Sequence, residues 1–286
     1  MVAAIDRCLS LLEALAPEAE GLSLGELARR LDLPKSAAHR LLATLMQRGY
    51  VHQDPVSQDY SLSLRLALLA FRYLDGRQLP DAAQTVLDRL ARETGEYCRL
   101  AVVEGETLVW IARAQGATQG LRYDPDMGQG VALHATATGK AWLATLPEEQ
   151  ALRIACARGF RPPPHARKRL VTGVTELRQH LAETRRRGYG LAVEEGEAGI
   201  VALAVAFHAW DAPDAPIAGT LSIAGPLTRL HRDRYDEIAA ALARAARDLC
   251  ALWSVRRRQK RAVQRAPAPP RGAAPRVRTE RRVASR

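Results

Sequence analysis

Aromatic side chains make up only 5% of the 286 residues, so any core has to be built from aliphatic side chains. Cysteine is scarcer still. Cys8, Cys98, Cys156 and Cys250 lie far apart, with no CxxC pair and no His at ligand spacing. That pattern argues against a disulfide framework or a zinc site and for reduced thiols in a cytosol. No run of eighteen apolar residues occurs, which excludes a membrane-spanning helix. The opening MVAAIDRCLSLLEAL carries Asp6 and Glu13 and no basic segment ahead of an apolar one, so it does not read as a secretory leader. Gly139-Lys140 lacks the GxxxxGK[ST] surroundings of a phosphate loop. What remains is a chain long enough, and apolar enough at 47%, for one large core or two ordinary ones.

Positive charge is plentiful but confined to one end. Twelve of the 42 Lys and Arg, and one of the 31 Asp and Glu, fall in 256–286; the rest of the chain holds 30 of each sign. The formal charge of +11 therefore belongs to an Arg/Ala/Pro-rich tail with almost nothing to bury, expected to be disordered. Residues 1–62 are slightly acidic, six basic against eight acidic.

The first fifty residues show helical periodicity three times. Ile5, Leu9, Leu12 and Leu15 form one stripe, ended by Pro17 and Gly21. Ser23 can cap a second helix, with Glu26 three residues on completing a capping box, ahead of Leu24, Leu27, Ala28 and Leu31. Pro34 can open a third, whose stripe is Ala38, Leu41, Leu42 and Leu45 and whose end is Gly49. On spacing alone, a helix-turn-helix and a plain three-helix bundle fit equally. Residues 50–53 and 60–62, joined by DPVSQD, then supply a hairpin, the wing of a winged helix-turn-helix.

Opposite its apolar stripe the third helix displays Ser36, Arg40, Ala43 and Gln47, flanked by His39 and Thr44, with Lys35 in the first turn. Such groups reach phosphate oxygens and base edges, and the small Ala43 lets a helix lie deep in a major groove. A solvated polar face has the same composition. Together with Ser23 at the head of the second helix, these are the residues expected to contact DNA.

The run GLSLGELARRLDLPKSAAHRLLATLMQRGYV followed by DPVSQDYSLSLRL resembles the N-terminal domain of IclR-type bacterial transcription factors. LHATATGKAWLA at 133–144 is similar to that family's central signature. RRRGYGLAVEEGEAGIVALAVAF at 185–207 and GTLSIAGPLTRL at 219–230 resemble its C-terminal ones. The resemblance covers roughly 3–255.

It implies an α+β chain of four parts. These are a winged helix-turn-helix over 1–63, a linker helix over 64–79, a GAF-like effector-binding domain over 80–255 and the disordered basic tail. It implies a cytoplasmic, nucleoid-associated regulator, a repressor above all, that binds pseudo-palindromic double-stranded operator DNA as a homodimer or tetramer. It implies no cofactor, metal, catalytic residue or membrane partner. The linker segment LRLALLAFRY places Leu66, Leu69, Ala70 and Tyr73 at helical spacing, to be covered by a partner copy or by the effector domain.

In the effector region, helices are expected over 81–94, 136–146, 175–187 and 229–255, and strands over 98–103, 107–113, 200–207 and 217–223. By the resemblance, Ala137, Thr138, Gly139, Ala192, Ile200, Ala202, Ser222 and Ala224 line the effector pocket. Ala192, Ala202 and Ala224 stand where relatives binding small oxyacids place Asp, Cys and Ser. Alanines cannot satisfy a buried charge, so the expected effector is larger and less polar than glyoxylate or pyruvate, an aromatic one included. Thr138, Ser222 and the amides opening the 137 helix are the polar anchors expected there. Lys140 reads as a surface or helix-terminal residue, His134 as a structural hydrogen-bonder, and Glu194 and Glu195 as solvated charges. The wing has Gln58-Asp59 where the family offers Gly and a basic residue. An enzyme or binding protein that uses the winged helix only to oligomerise would need titratable groups converging on the pocket, and the mapped lining has none.

Overall fold

The computed structural model describes residues 2–75, 79–125, 130–163, 166, 171–212 and 214–265. Two compact units emerge, Met1–Leu79 and Pro80–Arg286.

The first unit opens with α1 (Ala3–Leu15), α2 (Leu24–Arg30) and α3 (Lys35–Gln47). Its core joins Leu11 and Leu15 of α1 to Leu27 of α2, Leu42 and Leu45 of α3, and Val51 and Tyr60 of the wing. Ile5 and Leu9, counted in the α1 stripe, are instead exposed, at 61% and 54%. The face that packs is set by Leu11 and Leu15, one position round the helix. The Ser23 hydroxyl accepts the Glu26 amide at 3.2 Å, as expected of a cap. The other half of the capping box does not form, because the Glu26 carboxylate is taken by Arg29 and Arg30. Gly49 closes α3 at φ +74°, its amide donating to the Met46 carbonyl.

The wing is β1 (Val51–Gln53) paired antiparallel with β2 (Tyr60–Leu62). Its turn is organised by Asp54, whose carboxylate accepts the amides of Val56 and Ser57, both at 2.8 Å. Gln58 sits at φ +64°, a left-handed conformation that costs a side-chain-bearing residue about 1–2 kcal/mol. That is the physical reason a glycine suits this position. Leu22 bridges to Tyr60 and ties the wing to the start of α2. A further helix, α4 (Arg65–Asp75), ends this unit.

The second unit begins with α5 (Leu79–Thr94) and the hairpin β3 (Tyr97–Glu104) and β4 (Thr107–Gln115). There follow α6 (Ala137–Leu143), α7 (Glu148–Arg158), α8 (Val174–Arg187), β5 (Gly190–Val193), β6 (Ile200–His208) and β7 (Ile217–Pro226). A 3-10 turn at Arg232–Arg234 leads into α9 (Tyr235–Arg265). The five strands order β4-β3-β7-β6-β5, every neighbouring pair antiparallel. Alternation along the strands gives each face its own core. Cys98, Leu100, Leu203, Leu221 and Ile223 pack against α5 and α9. The other face, with Ala101 and Leu108, packs under α6, α7 and α8.

This is the α+β arrangement expected, with helices on both faces of one sheet. Helix α7 and strand β5 were not anticipated; Gly190–Val193 is too short to show a period. Residues 256–265, assigned to the tail by composition, continue α9 as helix, because Arg, Gln, Lys and Ala are all good helix formers. The remainder of the expected disordered tail, 266–286, lies outside the described residues.

Candidate functional site

On α3, Lys35, Ser36, His39, Arg40, Ala43, Thr44 and Gln47 are all exposed, while Ala38, Leu42 and Leu45 are buried. The structure thus brings the expected set onto one open surface, with Ser23 exposed at the head of α2. The pairing of cations separates the two helices. Arg29 and Arg30 of α2 are tied into a network with Glu26 and Glu18, at 2.5–2.8 Å. These hydrogen bonds hold the Glu26 carboxyl down at about 2. By contrast, among the described residues no ion pair engages Lys35 or Arg40, so their charges are open to a partner. The Thr44 hydroxyl donates back to the Arg40 carbonyl at 3.1 Å, leaving its lone pairs outward.

In the second unit, the sheet face under α6 carries two rows of side chains read directly from the register. Tyr97, Ala224, Ala202 and Ala192 lie side by side across β3, β7, β6 and β5; next to them run Arg99, Ser222, Ala204 and Gly190. The small residues sit at the β5–β6 end, and there α6 closes down: a Cβ on Gly190 would lie 2.2 Å from the Ala137 carbonyl oxygen. At the β3–β7 end the larger side chains hold space open. The result is a cavity of about 50 Å³. At roughly 10–15 Å³ per water-sized probe it admits a short molecule of a few heavy atoms, and no aromatic ring as the side chains stand.

Seven of the eight expected lining residues meet there: Ala137, Thr138, Ala192, Ile200, Ala202, Ser222 and Ala224. Gly139 does not. A Cβ on it would lie 2.3 Å from the Leu133 carbonyl oxygen, so it serves close packing away from the cavity. Its amide donates to the Thr136 hydroxyl at 3.0 Å, and the Lys140 amide donates to the Thr136 carbonyl. Of the amides expected to anchor a carboxylate at the start of α6, that of Gly139 is therefore engaged, whereas among the described residues no hydrogen bond takes those of Ala137 and Thr138.

Sequence reasoning missed Arg99, Tyr123 and Glu197, which with Ala135, Thr136 and Gly196 complete the wall. Arg99 is partly buried, its guanidinium 3.8 Å from the centre of the Trp110 ring and 5.7 Å from that of Tyr97. Its Nε is buried without a hydrogen-bond partner. Desolvation draws the guanidinium below its ordinary pKa. A wall of alanines alone would reject a charged ligand; Arg99 removes that objection. The signal available was a lone arginine in an otherwise apolar strand, YCRLAVV.

Two buried ion pairs frame the cavity. Lys140 is fully buried, against the expectation of a surface residue, because it points from α6 beneath the sheet edge. Its ammonium donates to both oxygens of Glu195 at 2.6 Å, to His180 Nδ1 at 2.8 Å and to the Leu191 carbonyl at 3.2 Å. An ammonium has no lone pair, so Nδ1 accepts and the His180 proton sits on Nε2. Burial pulls Lys140 down and pushes Glu195 up, each opposed by the other's charge. Glu195 is buried, not solvated, and Glu194 is partly buried, accepting the Gly199 amide at 3.0 Å. A larger open cleft of about 450 Å³ lies beyond this pair, lined by Glu176, Glu183 and Arg187. Leu191, Val193 and His180 line it too, with Glu195 itself.

On the opposite side, buried Glu96 accepts two bonds from Arg229, each 2.7 Å, over Gly225, where a Cβ would clash. Arg229 also donates to the Leu121 carbonyl, which fixes the strand-like segment that brings Tyr123 to the cavity. His134 is buried edge-on to Phe160, its Nε2 without a hydrogen-bond partner, and burial lowers its pKa. Burial pushes the Cys98 thiol up to about 12, which keeps it inert.

Known proteins resemble the chain over most of its length. The description "Bacterial transcriptional regulator IclR C-terminal" matches residues 71–251, and "IclR helix-turn-helix domain" matches residues 4–55. The chain is 33% identical to the transcriptional repressor IclR of Escherichia coli over 250 residues, which covers 87% of this chain and 89% of that protein. It superposes with a TM-score of 0.72 on the crystal structure of an IclR transcriptional regulator from Alicyclobacillus acidocaldarius, at 25% identity, covering 89% of this chain and 99% of the other. The fold is also that of an IclR homolog from Microbacterium hydrocarbonoxydans crystallised with 4-hydroxybenzoate, with a TM-score of 0.70, 23% identity, and 87% and 98% of the two chains covered.

Proposed function

The chain belongs to the IclR family of bacterial transcriptional regulators and is not an enzyme; on that premise we propose that it is a sequence-specific repressor whose hold on its operator is altered by a small metabolite. The observation that supports this most is the open polar face of α3, its cations unpaired, beside a two-stranded wing. In this reading Arg40 and Gln47 meet base edges, Lys35, Ser36 and Ser23 meet phosphates, and Ala43 lets the helix approach.

One such helix offers few base contacts, each worth about 1–3 kcal/mol of discrimination. Operator specificity commonly amounts to ~4–10 kcal/mol over non-specific DNA. Two copies reading half-sites of a pseudo-palindrome close that gap. The winged unit has the surface for it: Val2 just ahead of α1, Ile5 and Leu9 on it, and Leu68, Leu69 and Phe71 on α4 are all exposed. We therefore read 1–63 as the DNA-binding domain, 64–79 as a linker carrying α4 at a homodimer interface, with 76–78 outside the described residues, and 80–255 as the effector domain. The protein then acts in the bacterial cytoplasm, on the nucleoid.

The metabolite binds in the cavity under α6 and is less polar than glyoxylate or pyruvate, because five alanines face it. It can shift operator affinity only as far as it distinguishes the two DNA-binding states, typically ~1–3 kcal/mol. Gel shift with the DNA upstream of the protein's own gene tests the repressor reading, and retardation of unrelated DNA to the same extent contradicts it. Sedimentation at micromolar concentration tests the dimer, and a species of 31.3 kDa alone contradicts that.

A further inference from the structure

Among the described residues, two cations drawn out of water around the sheet have carboxylate partners and a third does not. Lys140 has Glu195, and Arg229 has Glu96. Arg99 has only rings: Trp110 on one side, Tyr97 and Tyr123 nearby, and no carboxylate among the described residues. A guanidinium taken out of water without a counter-charge is a standing cost, and proteins keep such a group where something outside the chain supplies the charge. The aromatic contacts hold it in place meanwhile and leave its fork of donors uncommitted.

The register fixes what surrounds it. Arg99 lies beside Ser222, in the row next to Ala224 and Ala202, on the sheet face that the cavity occupies. Of the amides that open α6, Thr136 takes that of Gly139; those of Ala137 and Thr138, on the cavity wall, can join the guanidinium on an anion. Around Arg99 the lining joins alanine methyl groups to the hydroxyls of Thr136, Thr138 and Ser222, and Glu197 is its carboxylate.

We infer that Arg99 is the anion anchor of this cavity and that the effector is a short, apolar acid with a single carboxylate. This rests on the reading of the cavity as the effector site. The carboxylate meets the guanidinium in a bidentate pair, which suits Arg better than any other side chain. The hydrocarbon body lies against Ala202 and Ala224. A second carboxylate would face Glu197 or the alanines, so diacids are rejected. The volume limits the body to a few carbons.

The test uses the full chain and three probes: isobutyrate, its neutral isostere isobutyramide, and succinate. In calorimetry isobutyrate is expected to bind at least tenfold more tightly than the other two, by roughly the factor that a lost charge-assisted pair commands. Arg99→Gln is expected to lose isobutyrate binding by a similar factor, with Arg99→Lys in between. Without ligand, Arg99→Gln is expected to melt at or above the wild type, since it relieves an unpaired buried charge; a residue retained for structure would melt lower. Equal binding of acid and amide, an unchanged affinity in Arg99→Gln, or no heat from any probe overturns the inference. Ala202→Val, which fills the cavity, separates the two levels. A ligand lost in Ala202→Val but kept in Arg99→Gln leaves the cavity as the effector site and removes Arg99. A ligand kept in both variants places the effector elsewhere and overturns both.

Discussion

The α3 face and the cavity under α6 place their polar groups in opposite circumstances. On α3 the functional groups stand in water, unpaired, on a helix whose other side is locked by Ala38, Leu42 and Leu45. Water screens Lys35 and Arg40 until a phosphate wall displaces it, so they cost the fold almost nothing while they wait. In the cavity the polar groups are out of water, and each has to be matched or else weigh on stability. Lys140 and Glu195 are matched; Arg99 is not. The two regions therefore differ in what a mutation does. Changes on α3 should alter binding and spare the fold, whereas changes around α6 should alter both.

The largest effect is expected at Lys140. Lys140→Met leaves Glu195 as an uncompensated buried charge and is expected to cost about 3–5 kcal/mol in urea unfolding of the effector unit. Adding Glu195→Leu should recover most of that, because a pair replaced by apolar groups of similar volume is close to neutral. A single-variant loss below about 1 kcal/mol would mean that the pair is wetter than its geometry indicates.

A smaller effect, and of the other kind, is expected on α3. Arg40→Ala should reduce operator discrimination by about 1–3 kcal/mol, read by competition with random DNA. The unfolding midpoint should move by less than about 0.5 kcal/mol, as for an exposed position with no partner. A large loss of stability would break the contrast between the regions.

The smallest effect concerns pH in the winged unit. Glu26 is held at about 2 against an ordinary 4.5. Its folded value is depressed, so its contribution is present above pH 4.5 and is lost as pH falls toward 2. Glu26→Gln should flatten the acid limb of the unit's stability curve, and only slightly, since the network is exposed. An unchanged acid limb would show that the network adds nothing measurable.

These differences also explain how much could be read from the chain alone. The winged helix was legible because its signals are local: helical stripes, Ser23 as a cap, Gly49 as a stop, Asp54-Pro55 opening the wing turn. Even there, Leu11 and not Ile5 and Leu9 turned inward, a rotation that periodicity cannot fix for a helix apolar on more than one side. The family's motifs located most of the cavity lining. They did not show that Lys140 runs inward to Glu195, or that Arg99 shares a row with Ser222. Those pairings join segments far apart in the chain, so no local pattern marks them. The same holds for Gly139, whose role is a close approach to Leu133 rather than a ligand contact.

In the proposed function two copies of the chain read DNA sequence through the open side of α3. Fluorescence anisotropy at one fixed salt concentration, with the DNA upstream of the protein's gene and a shuffled duplex of equal length, tests it most directly. The expected result is a preference for the upstream DNA of about 10³ or more, reduced in Arg40→Ala. Equal affinity for the two duplexes, or a preference that survives Arg40→Ala unchanged, would contradict it.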